Sequence, residues 1–215
     1  MTTGTGAIAL WPTPIYEADQ AELTDPQTVA RMNRELREII LDAEAKDIGA
    51  FTFGTIGAQK SSIDILRWDH PAVDWLRGRI LSAVQDLNRD TLGDLADQVT
   101  YPLIAEGWAV VYHQGASHQL HTHHDSVWSG TYYISTGGVD QDRAGHLQMV
   151  DPRPAAIARR VGDPVHNVAP FPGLLVAFPS WLPHSVRATL SEGSDPRICV
   201  AFNVGYDLTH QESAA

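Results

Sequence analysis

Apolar residues recur three or four positions apart over two stretches in the first half of the chain. From Pro26 to about Asp47, the residues Val29, Met32, Leu36, Ile39 and Ala43 form one stripe with charges between them. Such spacing predicts an amphipathic helix with one face packed on a neighbouring layer. Thr24 or Asp25 can cap it, with Pro26 in its first turn. From about His70 to Asn88 the pattern repeats in Val73, Leu76, Ile80, Val84 and Leu87, and Pro71 again suits a helix start.

After about Gln98 the texture changes to short runs rich in Val, Ile, Tyr and Trp. Strands are expected near Trp108–Tyr112, Gln119–His123, Gly130–Ile134, His146–Val150, Gly173–Ala177, His184–Ala188 and Arg197–Val204. Turn chemistry separates them at Thr136-Gly137-Gly138, Asp151-Pro152, Pro172-Gly173 and Glu192-Gly-Ser-Asp-Pro196. Many short strands with no helical pattern between them predict a sandwich or barrel. The expectation is an α+β chain folded as a single domain over 1–215, in which a helical and mixed part (1–97) supports an all-β part (98–208).

Composition narrows the function. The 215 residues carry a formal net charge of −11 and no Lys/Arg run, which disfavours a nucleic-acid partner. The single cysteine, Cys199, excludes an intrachain disulfide and any cysteine-built metal cluster, and fits a reducing compartment. No basic start with an apolar stretch opens the chain, and no window approaches the ~20 apolar residues of a membrane span. The chain therefore reads as soluble and cytoplasmic, without nucleic-acid or membrane partners.

Five of the ten histidines (His113, His118, His121, His123 and His124) lie close together. In a strand, His121 and His123 project to one face. Two imidazoles side by side can share a cation, with a third ligand arriving from elsewhere in the fold. His184 is the best candidate, because it follows the apolar run Leu174–Phe178 and begins a predicted strand. His113, His118, His124, His70, His166 and His210 read as ordinary polar residues. Asp125 complicates the choice, since His123-His124-Asp125 is a His-x-Asp element and two His with one carboxylate form the open site of non-haem iron oxygenases. Either His121/His123 or His123/Asp125 could supply the strand pair, and imidazole suits Fe, Zn, Cu or Ni alike.

Several motifs in order then become recognisable: Tyr112-His-Gln-Gly115, His121-x-His123, Trp128-Ser-Gly-Thr-Tyr-Tyr-Ile134, Asp151-Pro-Arg153, Phe178-Pro-Ser-Trp-Leu-Pro-His184 and Arg197-Ile-Cys-Val-Ala-Phe-Asn203. With Trp11-Pro-Thr-Pro-Ile-Tyr16 at the start, they resemble a family of 2-oxoglutarate/Fe(II)-dependent oxygenases over nearly the whole chain. The resemblance implies a double-stranded β-helix (jelly roll) with helices packed on one side. It also implies Fe(II) and 2-oxoglutarate as cofactor and co-substrate. The wider superfamily binds iron through His-x-Asp/Glu and a distal His, whereas this family reads His-x-His. The implied ligands are thus His121, His123 and His184, with Asp125 in reserve. Three neutral ligands leave the site one positive charge richer than two His and a carboxylate.

By the same resemblance, Arg197 grips the far carboxylate of 2-oxoglutarate, for which a planar guanidinium fork is suited. Tyr112 and Tyr133 match positions that hydrogen-bond the co-substrate. Arg153, left over from the Asp151-Pro152 turn, is a candidate substrate-binding charge, and Trp128 a candidate substrate wall. The implied reaction is oxidative decarboxylation of the 2-oxo acid coupled to hydroxylation of a small molecule. Two rivals stand beside it: a cupin-type three-histidine dioxygenase that needs no 2-oxo acid, and a non-catalytic barrel that binds metal or ligand. Thr52-Phe-Gly-Thr-Ile-Gly57 is too poor in glycine for a phosphate loop, and Ser180 lacks a nucleophile elbow.

Overall fold

The computed structural model describes residues 11–46, 52, 54–61, 65–98, 101–137, 143–153, 163–190 and 195–208. Asp47, Gly138, residues 192–194 and His210, all invoked above, lie outside them. Both expected helices are present. The first long one, α2 (Pro26–Ala45), follows a short helix α1 (Gln20–Leu23) and is capped by Asp25, whose carboxylate accepts from the Thr28 N–H at 2.8 Å. In α3 (Pro71–Leu92) the cap is His70, whose Nδ1 accepts from the Ala72 N–H. Each cap satisfies a donor that a helix start would otherwise leave unpaired.

Nine strands among the described residues form one antiparallel sheet: β1 (Tyr16–Asp19), β2 (Thr55–Lys60), β3 (Leu103–His121), β4 (Trp128–Thr136), β5 (Leu147–Val150), β6 (Val165–Val168), β7 (Leu174–Pro179), β8 (His184–Val186) and β9 (Arg197–Tyr206). The order is β1-β7-β4-β9-β3-β8-β5-β6, with β2 against β3. The expected strand Trp108–Tyr112 and the first part of the expected strand Gln119–His123 belong to a single long one, which ends at His121. The first half of β3 pairs with β9 and its end with β8, so this strand passes from one layer to the other. At the two ends of the order, Glu17 on β1 comes within 3.5 Å of His166 on β6. The sheet thus curls on itself as a double-stranded β-helix, the architecture the resemblance implies. The short strands β1, β2 and β6 carry too few apolar residues for the pattern to show them.

Alternation along β9 sorts two cores. Ile198, Val200, Phe202 and Val204 face α2 and α3, where Leu36, Leu76 and Ile80 are fully buried. Arg197 and Cys199 point the other way, into the barrel with Tyr112, Tyr133, Val176 and Phe178. The interior of the barrel therefore receives every second residue, and the helices seal its outer face. Among the described residues, no helix is long and apolar enough to cross a membrane.

Gly130 on β4 lies directly opposite Phe202 on β9 and Ala177 on β7. A Cβ there would stand 2.3 Å from the Phe202 ring and 2.3 Å from the Val176 carbonyl oxygen. We expect Gly130→Ala to lower stability by about 1–3 kcal/mol, read as an earlier midpoint in urea denaturation. An unchanged midpoint would mean that Phe202 can leave its place without cost.

Candidate metal centre and anion cavity

The local course of β3 explains how the histidines meet. His118 lies opposite Val186 of β8 and His121 opposite His184, so β3 uses three steps where β8 uses two. The extra residue is a β-bulge, and it resets which side chains face inward. In an unbroken strand His118 and His121 would point to opposite faces. Here both turn into the barrel, while Leu120 is left exposed. His123 follows just beyond the strand, its N–H held by the Ser180 carbonyl at 2.9 Å.

His121, His123 and His184 each offer a ring nitrogen, and these lie within 4.8 Å of one another. The rings of His121 and His184 are 4.2 Å apart, centre to centre, and Phe178 meets His184 edge-on at 4.7 Å. His121 Nδ1 lies 2.8 Å from the Gln119 carbonyl oxygen, and His184 Nδ1 lies 2.8 Å from that of Leu182. A carbonyl can only accept, so both Nδ1 atoms carry hydrogen and leave the Nε2 lone pairs for a ligand. Burial, reinforced by the neighbouring imidazoles, pushes His184 down to about 3 and His123 down to about 4. His121 is lowered for the same first reason. All three are neutral at pH 7, the form in which imidazole ligates a cation.

Arg197 lines the same cavity as the three histidines. Its guanidinium carbon is 4.3 Å from the centre of the Tyr112 ring and 5.2 Å from that of Tyr133. It is 1% exposed and makes no ion pair with any described residue. Burial raises both phenols above their ordinary range, so they stay protonated. Arg197 Nε, the Tyr133 hydroxyl, Trp108 Nε1 and Thr131 Oγ1 are buried without a hydrogen-bond partner. Orphaned buried donors are costly and call for an explanation. A cavity with a cation, unspent donors and no carboxylate among its described lining residues fits an anion.

The remaining candidates lie elsewhere. Asp125 is exposed and outside the group of three histidines. Trp128 faces the helices, not the cavity, and donates from Nε1 to Asn88 at 2.8 Å. Arg153 donates to Asp151 through Nε at 2.9 Å, on the wall of a separate groove of about 340 Å³ shared with Trp11, Asp163 and His166. Two residues passed over in the sequence do reach the site. His118 stacks on His121 at 4.2 Å, and Lys60 of β2 brings its ammonium within 3.3 Å of His118 Nε2. Burial lowers Lys60 to about 8. Only the bulge, which no periodicity displays, would have revealed His118.

Comparison with known proteins bears on the family and the fold. Residues 106–203 match the family model described as "Putative 2OG-Fe(II) oxygenase", a span that holds all three histidines and Arg197. The match supports, at family level, the resemblance carried by the motifs. No curated protein sequence matches the chain. A crystal structure of a Pseudomonas putida prolyl-4-hydroxylase is similar over 91% of this chain and 94% of its own, with 18% identity and a TM-score of 0.63. HygX from Streptomyces hygroscopicus, solved with nickel, 2-oxoglutarate and hygromycin B bound, is similar over 90% of this chain and 83% of its own, at 16% identity and a TM-score of 0.58. A prolyl hydroxylase from Trichoplax adhaerens, in complex with a peptide fragment of hypoxia inducible factor, shares 16% identity over 89% of this chain and 82% of its own, with a TM-score of 0.57. At these identities the likeness is one of fold.

If Arg197 serves a ligand and not the fold, its removal relieves a buried charge. We expect Arg197→Met to leave the unliganded protein at least as stable as the wild type in urea denaturation, since replacing buried charge by apolar volume is often neutral or stabilising. A loss above about 2 kcal/mol would make it a structural residue, since large losses come from packing or networks that the fold needs.

Proposed function

We propose that the chain is a non-haem Fe(II)- and 2-oxoglutarate-dependent oxygenase that hydroxylates a small molecule. One observation carries the reading: three neutral imidazoles converge in the same cavity as a buried guanidinium flanked by unpartnered donors. The donor set fits iron, since imidazole suits the middle and later first-row divalent ions. The unspent donors fit a dicarboxylate. Further support comes from the family match and from HygX, which was solved both with iron and with nickel and 2-oxoglutarate.

In this reading His121, His123 and His184 hold the iron, and Asp125 does not reach it. Bound iron supplies O2 activation coupled to oxidative decarboxylation of 2-oxoglutarate to succinate and CO2, chemistry that belongs to the cofactor. The chain's own part is to bind, orient and keep water out. Arg197 offers two parallel N–H donors to the far carboxylate of the co-substrate, a pairing stronger than a neutral hydrogen bond. Tyr112 and Tyr133, protonated and buried, present hydroxyl donors beside it. Stacking on both tyrosines holds the guanidinium in place before the anion arrives, which lowers the ordering cost of binding. Phe178 and Leu182 shield the His184 side of the site. Arg153 and its groove offer a place for the substrate beyond the metal centre. The cytoplasmic location expected from the lone cysteine is part of the same proposal.

The test is direct. Anaerobic protein loaded with Fe(II) and 2-oxoglutarate is expected to show a weak visible charge-transfer band, and to form succinate on exposure to air. His184→Ala should lose both. Arg197→Ala should keep iron but require at least about tenfold more 2-oxoglutarate to reach half the band, as expected for losing a charged hydrogen bond of about 1.5–3 kcal/mol. Neither band nor succinate from the wild type would sink the proposal, and a band indifferent to Arg197 would remove its assigned role.

A further inference from the structure

Behind the three histidines lies a second layer that none of the readings above uses. Lys60 reaches into the barrel from β2, where it pairs with Val110 of β3, and is only 5% exposed. Its ammonium faces two rings at once. It is 3.3 Å from His118 Nε2 and 5.7 Å from the centre of the Trp108 ring. Each of those rings in turn lies on a different imidazole of the triad. His118 stacks on His121 with centres 4.2 Å apart and planes 27° apart, and Trp108 stacks on His123 at 6.0 Å and 28°. One cation is therefore joined through two aromatic faces to two of the three candidate ligands.

The contacts also define the state of His118. An ammonium only donates, so His118 Nε2 accepts and the ring is the Nδ1–H form. Gly54 packs against the same edge of the ring and leaves no room for a side chain there. A Cβ on Gly54 would stand 2.6 Å from His118 Nε2, and Gly54 has the left-handed φ of +76° that glycine tolerates. The bulge in β3 supplies the remaining constraint, since it is what turns His118 to the same side as His121. A hydrogen bond to Gln119 holds His121 at Nδ1, and the stacked faces of His118 on His121 and of Trp108 on His123 add a constraint on the ring planes.

We propose that Lys60, His118 and Trp108 form a brace that sets the ring planes of His121 and His123, making Lys60 and His118 positioning residues for metal capture. The proposal rests on the reading of the triad as a metal site. Hydrogen-bonding partners behind metal-ligating histidines contribute about 10–100-fold to metal affinity where they have been removed in other proteins. The brace differs from the usual carboxylate or carbonyl partner in acting through ring faces, with Lys60 as the single point that ties both stacks together.

Cobalt(II) alone is the probe, titrated into the whole metal-free chain and followed by its visible d–d bands, with far-UV circular dichroism to check folding. The wild type is expected to take one equivalent. His118→Ala should bind at least tenfold more weakly and with altered bands, whereas His118→Phe, which restores a ring face, should stay within about threefold of the wild type. Lys60→Met should also weaken binding, and the double variant His118→Ala/Lys60→Met should be no worse than the weaker single one, because the two act as a unit. A packing role alone predicts the opposite pattern: lower stability of the metal-free variants with unchanged affinity and bands. That result overturns the brace while leaving the triad intact. A wild type that takes no cobalt overturns the metal reading itself. If His118→Ala does not fold, Lys60→Met decides alone, and wild-type affinity in that variant rejects the proposal.

Discussion

The register between β3 and β8 is the constraint on which the site depends. It places His121 directly across from His184, two residues far apart in the chain, and it does so at the point where β3 has passed from one layer of the barrel to the other. Strand side chains alternate, so a slip of one residue would turn His121 outward and Leu120 inward. The slip is opposed by what surrounds the pair. Val186 and Leu182 are buried in the barrel core on either side of His184, and Met149 of β5 lies opposite it on the other flank. Packing of ordinary apolar residues thus fixes the relative position of groups whose chemistry contributes little to folding.

What those groups add to folding is unfavourable. Within one small interior the chain buries a guanidinium, four polar atoms without partners and a cluster of neutral imidazoles. Burial of charge is offset only in part by the tyrosine faces on Arg197. The stability to tolerate this comes from the opposite face of the sheet. There α2 and α3 cover Ile198, Val200, Phe202 and Val204 with a continuous apolar layer, at about 1.5–3 kcal/mol for each large side chain fully buried. One strand, β9, carries both halves of that trade on alternate residues. Its even positions hold the fold and its odd ones, Arg197 and Cys199, face the cavity.

Much of this was legible in the sequence because it follows from period. The stripes of α2 and α3 are helical spacing, Pro26 and Pro71 mark their first turns, and Asp25 is one of the two caps the sequence offers for α2. Alternation suggested pairing His121 with His123, although His123 lies just past the end of β3 and is held by Ser180, and the apolar run before His184 gave that residue a strand. Three things were not legible, each for a physical reason. The bulge at His118 breaks the alternation that pattern reading assumes, so a residue of the site looked like a solvent-facing one. Lys60 lies on β2, a strand whose Gly57, Gln59 and Lys60 give it no apolar signature, and its inward course follows only from pairing with β3. Trp128 stands beside the site in sequence but on the helix face of β4, where its indole bonds Asn88. Proximity along the chain says nothing about which side of a strand a ring occupies.

In the proposed metal site, a histidine (His123) in place of a carboxylate alters the electrostatics more than the geometry. A carboxylate would cancel one of the two charges on a divalent ion and would itself be held by the nearby cations. His123 cancels none, and Arg197 adds positive charge to the same cavity. Attraction between unit charges scales inversely with distance and dielectric, so in a cavity this enclosed the unbalanced charge favours an anion strongly over water. In the proposed complex, a dicarboxylate that meets the ion at one end and Arg197 at the other would balance both cations in one binding event. On the proposed function, the chain leaves that counter-charge to its ligand, and the cavity is completed electrostatically only when the ligand is bound.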